Sequence, residues 1–483
     1  MTWKRMAALG IGVACLSAPV HGGDWAQFRG PNNSGVASES QAPSEWSSTK
    51  NLAWKMKIPG YGWSSPIVVG DKIIVTTAVS EKQKRPQPFT YPGGGGFGPP
   101  GGPRGGASKD GKGGDRAKGP PGGFRGGPGG PGMFGNARPP DAVYRWEIHC
   151  LDRHTGKTLW SHVPLERKPA IAATMGNGYA SETPISDGAR VYAYFGMHGL
   201  YCYDLSGKEL WRQELGSYKM MMGWGTGSSP ALDGERLFVL CDNEEKSFLA
   251  AFDKTTGKEL WRVPRADKSS WSTPFVWRNK VRTEIVTASG KAIRAYDPAD
   301  GKVLWEIQRE GGGMAAPVNA TPVADETMLY VGAGSPFGAS PLWAIKAGAS
   351  GDISLKPGET ANAGIAWSST RGGPPMASPL LYQDHLYILM QNGGMLNCYD
   401  ARTGKEIYKQ RLKGAKSFTS SPWLQDGKLY CLDESGQTFV VQAGPKFELL
   451  GKNETNDMFW STPAVARDAL YMRGVDWLYC FRQ

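Results

Sequence analysis

Large aromatic side chains recur just ahead of a Ser-Pro or Thr-Pro step along this chain of 483 residues. Glycines stand beside them; a glycine lets the backbone approach a bound molecule closely, and flat rings suit a planar ligand. If these loops meet at one place, they form a funnel that binds a ligand. The alternative is that the rings pack one repeat of the fold against the next. The candidate funnel residues are Trp63, Tyr179, Trp224, Trp271, Arg371 and Trp460.

Residues suited to catalysis or metal binding are sparse at the same positions. The acids ahead of the steps are Glu182, Asp267, Glu310 and Asp457. They stand in different repeats and match no calcium-ligand pattern. The histidines beyond residue 22 are His149, His154, His162, His198 and His385. Their spacing makes no metal site, and no nucleophile elbow or phosphate loop occurs outside a low-complexity tract. The sequence therefore predicts no catalytic residue and no metal ligand.

A hairpin motif that ends in an aromatic residue repeats along the chain. It begins with Ala or Cys, has Asp two residues later and Gly in the turn, and closes with Trp or Tyr. We expect the Asp to bond to turn amides, the Gly to supply a positive φ, and the Trp to pack against the neighbouring unit. The cysteines of the motif are expected to be buried and free. Complete copies lie at 150–160, 202–211, 251–261, 295–305 and 398–408; a copy at 344–367 is stretched, and 51–54 holds only a closing strand.

A second periodicity gives the number of units. Each Ser-Pro or Thr-Pro step opens two short strands joined by a tight turn, and the aromatic hairpin adds two more strands. The prolines of the steps are Pro66, Pro184, Pro230, Pro274, Pro322, Pro379, Pro422 and Pro463. The last unit lacks a closing Trp strand, and residues 51–54 supply one. The sequence predicts an all-β, eight-bladed β-propeller of four-stranded antiparallel blades, whose last blade is closed by an N-terminal strand.

The hairpin motif resembles that of the pyrroloquinoline quinone (PQQ) repeat family, with its A-x-D-x-x-T-G-x-x-x-W pattern. The resemblance covers roughly residues 51–482 and implies the same eight-bladed fold. Members include quinoprotein alcohol dehydrogenases and the propeller lipoprotein of the BAM complex. The opening GDWAQFRGPNNSGV, residues 23–36, is similar to the start of many secreted propellers of this family whose role is unassigned. The motif implies a fold and not a function, because it is structural throughout the family.

The resemblance also implies what a PQQ enzyme would contain. Such a dehydrogenase holds its cofactor against a Trp, often with a pair of adjacent cysteines, and binds calcium through Glu, Asn and Asp oxygens. This chain has no adjacent Cys pair. Some sugar-oxidising members lack that pair as well, so its absence leaves the enzyme as an alternative. No cofactor is predicted, and PQQ with calcium remains the alternative.

Two segments of the chain have compositions unlike the rest. Residues 1–22 have the layout of a secretory signal peptide, with Lys4 and Arg5 ahead of a short apolar stretch. Lipid attachment at Cys15 is disfavoured because Gly12 stands where a lipobox has Leu. A basic Gly-Pro tract at about 85–141 is predicted to be a disordered insertion. It carries most of the net charge of +11, so the propeller itself gives no sign of binding nucleic acid.

These patterns divide the chain into a signal peptide (1–22), an N-terminal arm (23–50) and a propeller (51–483). We expect an exported monomer, periplasmic or secreted and without a transmembrane span, that binds a protein or cell-envelope partner without catalysis. One alternative is a PQQ- and calcium-dependent dehydrogenase of alcohols or sugars. Another is an extracellular protein that binds glycans or a cell surface through the Gly-Pro tract.

Overall fold

The computed structural model describes residues 23–86, 138–173, 176–309, 318–334 and 340–483. Its strands form eight sheets that follow one another in chain order as the blades of a propeller. This confirms the predicted fold class and the number of blades. The predicted signal peptide with Cys15, the bulk of the Gly-Pro insertion and Glu310 lie outside the described residues.

Two strands precede the first blade, β1 (Val36–Ala37) and β2 (Leu52–Lys57). Blade 1 contains β3 (Ile67–Val69), β4 (Lys72–Val79), β5 (Tyr144–Asp152) and β6 (Thr158–Arg167). Blade 2 contains β7 (Ile185–Ser186), β8 (Arg190–Phe195), β9 (Gly199–Asp204) and β10 (Glu209–Gln213). Blade 3 contains β11 (Ala231–Asp233), β12 (Arg236–Cys241), β13 (Ser247–Asp253) and β14 (Glu259–Arg265). Blade 4 contains β15 (Phe275–Arg278), β16 (Thr283–Ala288), β17 (Ala292–Tyr296) and β18 (Val303–Gln308).

Blade 5 contains β19 (Val323–Ala324), β20 (Met328–Gly332), β21 (Leu342–Lys346) and β23 (Ile365–Ser369), with the short β22 (Gly351–Asp352) between the last two. Blade 6 contains β24 (Leu380–Tyr382), β25 (His385–Leu389), β26 (Met395–Asp400) and β27 (Glu406–Arg411). Blade 7 contains β28 (Trp423–Gln425), β29 (Lys428–Leu432), β30 (Gln437–Gln442) and β31 (Leu449–Glu454). Blade 8 contains β32 (Ala464–Ala466), β33 (Ala469–Arg473) and β34 (Trp477–Arg482). Three short 3-10 turns complete the elements, Pro31–Asn33, Gly196–His198 and Met221–Gly223.

The small residue of the hairpin motif lies directly opposite the closing aromatic residue in seven blades. Opposed residues on neighbouring strands point to the same face of a sheet, so a small side chain leaves room for the ring. Only blade 7 departs from this rule: Val440 faces Gly451 and no ring is present. The pairs are Cys150 with Trp160, Cys202 with Trp211, Ala251 with Trp261, Ala295 with Trp305, Ala344 with Trp367, Cys398 with Tyr408 and Cys480 with Trp54.

The closing tryptophan of one blade docks on the hairpin turn of the next. Trp211 of blade 2 donates its Nε1–H to the carbonyl oxygen of Lys254 in blade 3 at 3.1 Å. Its ring covers Gly257, where a Cβ would lie 2.5 Å from a ring carbon and where φ is 73°. The motif aspartate Asp253 accepts bonds from two amides of the same turn, as predicted. The same indole bond joins Trp54 to Arg153, Trp160 to Leu205, Trp261 to Pro298 and Trp367 to Ala401.

Trp305 is the exception among these tryptophans. It is fully buried and donates its Nε1–H to Glu284 Oε2 of its own blade at 2.7 Å. The outer edge of its strand is covered by β22, which runs parallel to β18 with Trp305 opposite Gly351. The insertion that stretches the blade 5 hairpin therefore folds back over the edge of blade 4, which leaves that edge paired.

The ring closes between the two ends of the chain, as predicted. Strand β2 pairs antiparallel with β34 and becomes the fourth strand of blade 8. A buried arginine, Arg473, reinforces the junction with blade 1 by donating its Nη1–H to the carbonyl oxygens of Ser64 at 3.1 Å and Thr76 at 2.6 Å. No sequence pattern marked Arg473, because its acceptors lie about four hundred positions away along the chain.

The Ser or Thr of seven of the eight proline steps accepts a bond from the preceding blade. Each of these seven hydroxyl oxygens receives the backbone N–H of the equivalent residue, and the side chains of all eight steps are buried. The seven bonds, here called the hydroxyl circle, run around the inner strands from blade 1 to blade 8, and they explain why the position before Pro is Ser or Thr. The bonds run from Ser65 to Thr183, Thr183 to Ser229, Ser229 to Thr273, Thr273 to Thr321, Thr321 to Ser378, Ser378 to Ser421 and Ser421 to Thr462, at 2.9–3.3 Å.

The docking contact is testable with two alanine substitutions in blade 3. Gly257→Ala and Gly234→Ala both place a Cβ at a positive φ, 73° and 55°, but only Gly257 lies under a ring, and no atom lies within 4 Å of a Cβ at Gly234. Backbone strain alone should lower the free energy of unfolding by about 1–2 kcal/mol at Gly234. Overpacking against Trp211 should lower it by about 1–3 kcal/mol more at Gly257. Equal losses in urea titrations would contradict the docking role.

The circle of hydroxyls is testable at Thr273. Thr273→Val keeps the shape of the side chain but leaves the buried Ser229 N–H without its acceptor, so the free energy of unfolding should fall by about 1–3 kcal/mol. Thr273→Ser keeps the oxygen and loses a methyl group, which should cost about 1 kcal/mol or less. Urea titration of both variants checks this order; a Ser variant as unstable as the Val variant would show that the hydroxyl does not matter.

Candidate functional site

The proline steps and the docking turns lie on opposite faces of the disc. In blade 1, Lys72 follows the turn after β3 and pairs with Asp152, which begins the docking turn. Both turns are thus at one face, here called the docking face, and the proline steps are at the other, here called the mouth face. All six candidate funnel residues belong to loops of the mouth face.

Four of the candidates form two tryptophan pairs. The ring centroids of Trp63 and Trp460 are 4.6 Å apart, and those of Trp224 and Trp271 are 5.7 Å apart. Trp63 donates its Nε1–H to the Gly176 carbonyl oxygen at 2.6 Å. A Cβ at Gly176 would lie 2.3 Å from the Trp460 ring. Each pair therefore packs loops of different blades against each other.

The other two candidates stand apart from these pairs. Tyr179 is buried, has a φ of 68° and donates its hydroxyl to the Ile171 carbonyl oxygen at 3.1 Å. Trp146 donates in turn to the carbonyl oxygen of Tyr179 at 2.9 Å. Arg371 follows β23 of blade 5 and is exposed. The structure thus gathers the candidates as two ring pairs, one buried tyrosine and one exposed arginine, and not as one constellation.

The amide and acid groups of the mouth loops bond to backbone groups of the same face. Asn177 donates to the carbonyl oxygens of Trp224 at 3.1 Å and Thr226 at 2.8 Å. The Asp457 carboxylate accepts from the backbone N–H of Met458 at 2.7 Å and of Trp477 at 3.3 Å. Burial raises the pKa of Asp457, which these bonds partly oppose. These groups hold the loops in place.

Asp267 belongs to a buried chain of ion pairs between blades 3 and 4. Its Oδ2 lies 2.6 Å from Arg294 Nη1 and 3.2 Å from Arg265 Nη2. Arg265 also binds Asp242 through two bonds of 2.8 and 3.0 Å, and Arg294 continues to Glu306 at 3.0 Å. Removing one member of such a chain leaves an uncompensated buried charge. Asp267 therefore stabilises the blade junction.

Glu182 is a candidate acid whose surroundings favour the protonated, neutral form of its carboxyl group. It precedes Thr183 of the hydroxyl circle and is buried, close to Thr226 and Gly196. Burial raises the pKa of Glu182 to about 7, while the Thr226 hydroxyl opposes that shift. Because a buried carboxylate is costly without a counter-ion, the neutral form is preferred around pH 6.

His149, His198 and most of the cysteines are buried within the blades. His149 Nε2 lies 3.0 Å from Glu147 Oε2, and His198 packs edge-on against Trp146 at 4.1 Å. The cysteines are free and mostly buried, and burial raises the pKa of Cys150 to about 12. Across the described ranges, no group of three or more His, Cys, Asp or Glu side chains is placed to hold a metal ion.

The docking face carries a shallow cavity of about 370 Å³ beside the N-terminal arm. Three of its charged groups are paired: Arg153 Nη1 lies 2.7 Å from Asp468 Oδ1, and Arg467 Nη2 lies 2.9 Å from Asp24 Oδ1. The cavity thus lies where the arm meets blades 8 and 1. Its lining residues are Gly23, Glu39, Gln41, Arg153, Arg467 and Asp468.

The raised pKa of Glu182 predicts a pH dependence of stability. The folded state binds a proton between the ordinary carboxyl pKa and about 7, so its contribution is fully present below that window and is lost as pH rises through 7. Glu182→Gln should remove this loss, which amounts to about 3 kcal/mol. The control is Glu166→Gln on the exposed outer strand β6. Urea titrations at pH 5 and pH 8 check it; a Glu182→Gln profile parallel to the wild type would contradict the assignment.

Comparison with known proteins gives two kinds of relative. Residues 145–220 and 200–347 match a family model described as outer membrane protein assembly factor BamB. A curated relative is the dehydrogenase subunit of the quinone-type alcohol dehydrogenase of Komagataeibacter europaeus, 28% identical over 215 residues. That match covers 41% of this chain and 26% of the length of the relative.

Solved structures resemble the fold at low identity. BamB from Moraxella catarrhalis is 14% identical with a TM-score of 0.50, over 70% of this chain and 91% of that one. A europium-containing methanol dehydrogenase is 12% identical with a TM-score of 0.59, over 96% and 98%. The quinohemoprotein alcohol dehydrogenase of Comamonas testosteroni is 12% identical with a TM-score of 0.56, over 95% and 80%. No helix among the described residues has the length and apolar character needed to cross a bilayer. The chain is therefore an eight-bladed β-propeller whose residues 145–347 match the BamB family model.

Proposed function

We propose that this protein is an exported, non-catalytic propeller that binds a protein partner in the cell envelope. The observation that carries the proposal is that polar groups of the mouth face bond to other parts of the same chain. Trp63 and Asn177 donate to neighbouring loops of the same chain, and Asp457 accepts from Met458 of its own loop and from Trp477 of β34. A mouth built in this way is a rigid surface, and rigid surfaces with variable loops suit partner binding.

The match to the BamB model supports a partner of this kind. That model is described as an assembly factor of outer membrane proteins. The matched region, residues 145–347, includes the mouth loop that carries Trp224 and the one that carries Trp271. We infer a periplasmic or secreted location and a protein partner that contacts the mouth face.

A PQQ- and calcium-dependent dehydrogenase is the second candidate, favoured by the match to the quinone-type alcohol dehydrogenase subunit. A quinone needs a free aromatic face, and calcium needs several free oxygen ligands. One face of Trp460 lies against Gly176, and the Asp457 oxygens accept bonds from Met458 and Trp477. In this arrangement, these residues do not fit the quinone and its calcium ion.

The first test adds PQQ and calcium to the purified protein. We expect no saturable quenching of tryptophan fluorescence and no dye reduction with alcohols or sugars, because the mouth rings and oxygens are in use. A quinoprotein dehydrogenase reconstituted in the same way is the positive control. Dye reduction that depends on both PQQ and calcium would overturn the proposal in favour of the enzyme.

A second experiment looks for the partner. A photoreactive amino acid is placed at Arg371, exposed on the mouth face, and in a matched variant at Leu159, which is 50% exposed on the outer strand of blade 1. In the cells that make the protein, we expect a discrete protein adduct from position 371 and none from 159. The same adducts from both positions, or none from either, would contradict binding at the mouth face.

A further inference from the structure

The N-terminal arm crosses the central channel of the propeller, from the docking-face turns of blades 8 and 1 to the proline step of blade 6. From Gly23 to Ala37 it touches the innermost strands of blades 1, 2, 6 and 7, which lie on opposite sides of the ring. It then leaves between blades 7 and 8, where Trp46 stacks on Trp423 and Tyr430. The opening GDWAQFRGPNNSGV is therefore an internal segment of the fold.

One half of the arm binds blades 8, 1 and 2. Asp24 pairs with Arg467 at 2.9 Å and accepts from the Gly70 N–H at 3.1 Å. Trp25 exchanges two backbone bonds with Val68 of β3, at 3.0 and 2.9 Å. The next residue, Ala26, accepts from the Ser186 N–H of β7 at 2.8 Å. These are the backbone contacts by which an extended peptide adds to a strand.

The other half binds blades 6 and 7. Arg29 is fully buried and donates to the carbonyl oxygen of Pro379, just ahead of β24. The Gly35 carbonyl oxygen accepts from the Leu424 N–H at 2.9 Å. Strand β1 then pairs in parallel with β28, with Val36 opposite Leu424. Blades 2 and 6 face each other across an eight-membered ring, so the arm spans the channel.

The arm holds a defined turn between its two halves. The Gly35 N–H donates to the Arg29 carbonyl oxygen at 2.9 Å. Gly30 has a φ of 65°, and a Cβ there would lie 2.4 Å from the Trp25 ring. Trp25 itself is 1% exposed. A Trp followed four residues later by Arg-Gly is thus the element that the channel recognises.

From this geometry we infer that the central channel is a peptide-binding site, and that residues 24–37 of the same chain are its resident ligand. The site takes an extended peptide with an acidic residue, a tryptophan and an arginine in the order Asp-Trp-x-x-x-Arg-Gly. Its walls are inner strands of blades 1, 2, 6 and 7. While the arm is bound, it blocks the channel to other ligands from the docking face, and the mouth face alone offers access.

The test cuts the arm from the folded protein. A protease recognition sequence is inserted between Thr49 and Lys50, which are exposed and lie between the arm and β2. Cleavage after folding separates the arm from the propeller without asking a shortened chain to fold. We expect the arm to co-elute with the propeller in gel filtration, because its bonds to the channel do not depend on the covalent link.

Two variants of the cleavable protein measure specificity. Trp25→Ala removes the buried ring and should raise the dissociation rate of the cut arm at least about a hundredfold. Glu39→Gln alters an exposed arm residue and should leave that rate within about twofold. Circular dichroism confirms that the propeller stays folded. An arm that elutes free from a folded wild-type propeller, or equal rates for Trp25→Ala and wild type, would overturn the proposal.

Discussion

The tryptophan that closes one blade and lies on the glycine of the next is the contact on which the propeller depends. It needs a small residue opposite the ring, as at Cys202 for Trp211, and an open glycine with positive φ on the neighbour, as at Gly257. Both needs come from the size of an indole in a narrow gap. Blade 7, which faces the chain-end junction of blade 8, carries Gly451 in place of an aromatic residue.

The inner rim of the disc is held by a different interaction. Buried hydroxyls such as Thr273 and Ser378 accept backbone N–H groups from the preceding blade, which satisfies donors that would otherwise be unpaired. Aromatic docking between the outer strands and hydroxyl bonds between the inner strands together fix the angle between blades. Loops on the mouth face therefore start from rigid positions, and the Trp63 and Trp460 pair locks two of them further.

This construction gives the two faces different surroundings. The docking face is occupied by structural turns and by the arm, whose Trp25 and Arg29 sit against the inner strands. The mouth face keeps exposed groups such as Arg371 on a rigid frame. Proteins similar to this chain include both an assembly factor and the dehydrogenase subunit of an alcohol dehydrogenase.

The sequence by itself determined the number of blades, the closure through Trp54 and the role of the motif Asp and Gly, because each blade repeats the same local requirement. It also indicated which residues stand in the mouth loops. Only the tertiary structure decided that Trp63 meets Trp460, that Tyr179 is buried and that Arg371 stands apart. It alone placed the arm in the channel, where Arg29 reaches Pro379 across 350 positions of the chain. Contacts of that span arise when the ring closes, and no local pattern records them.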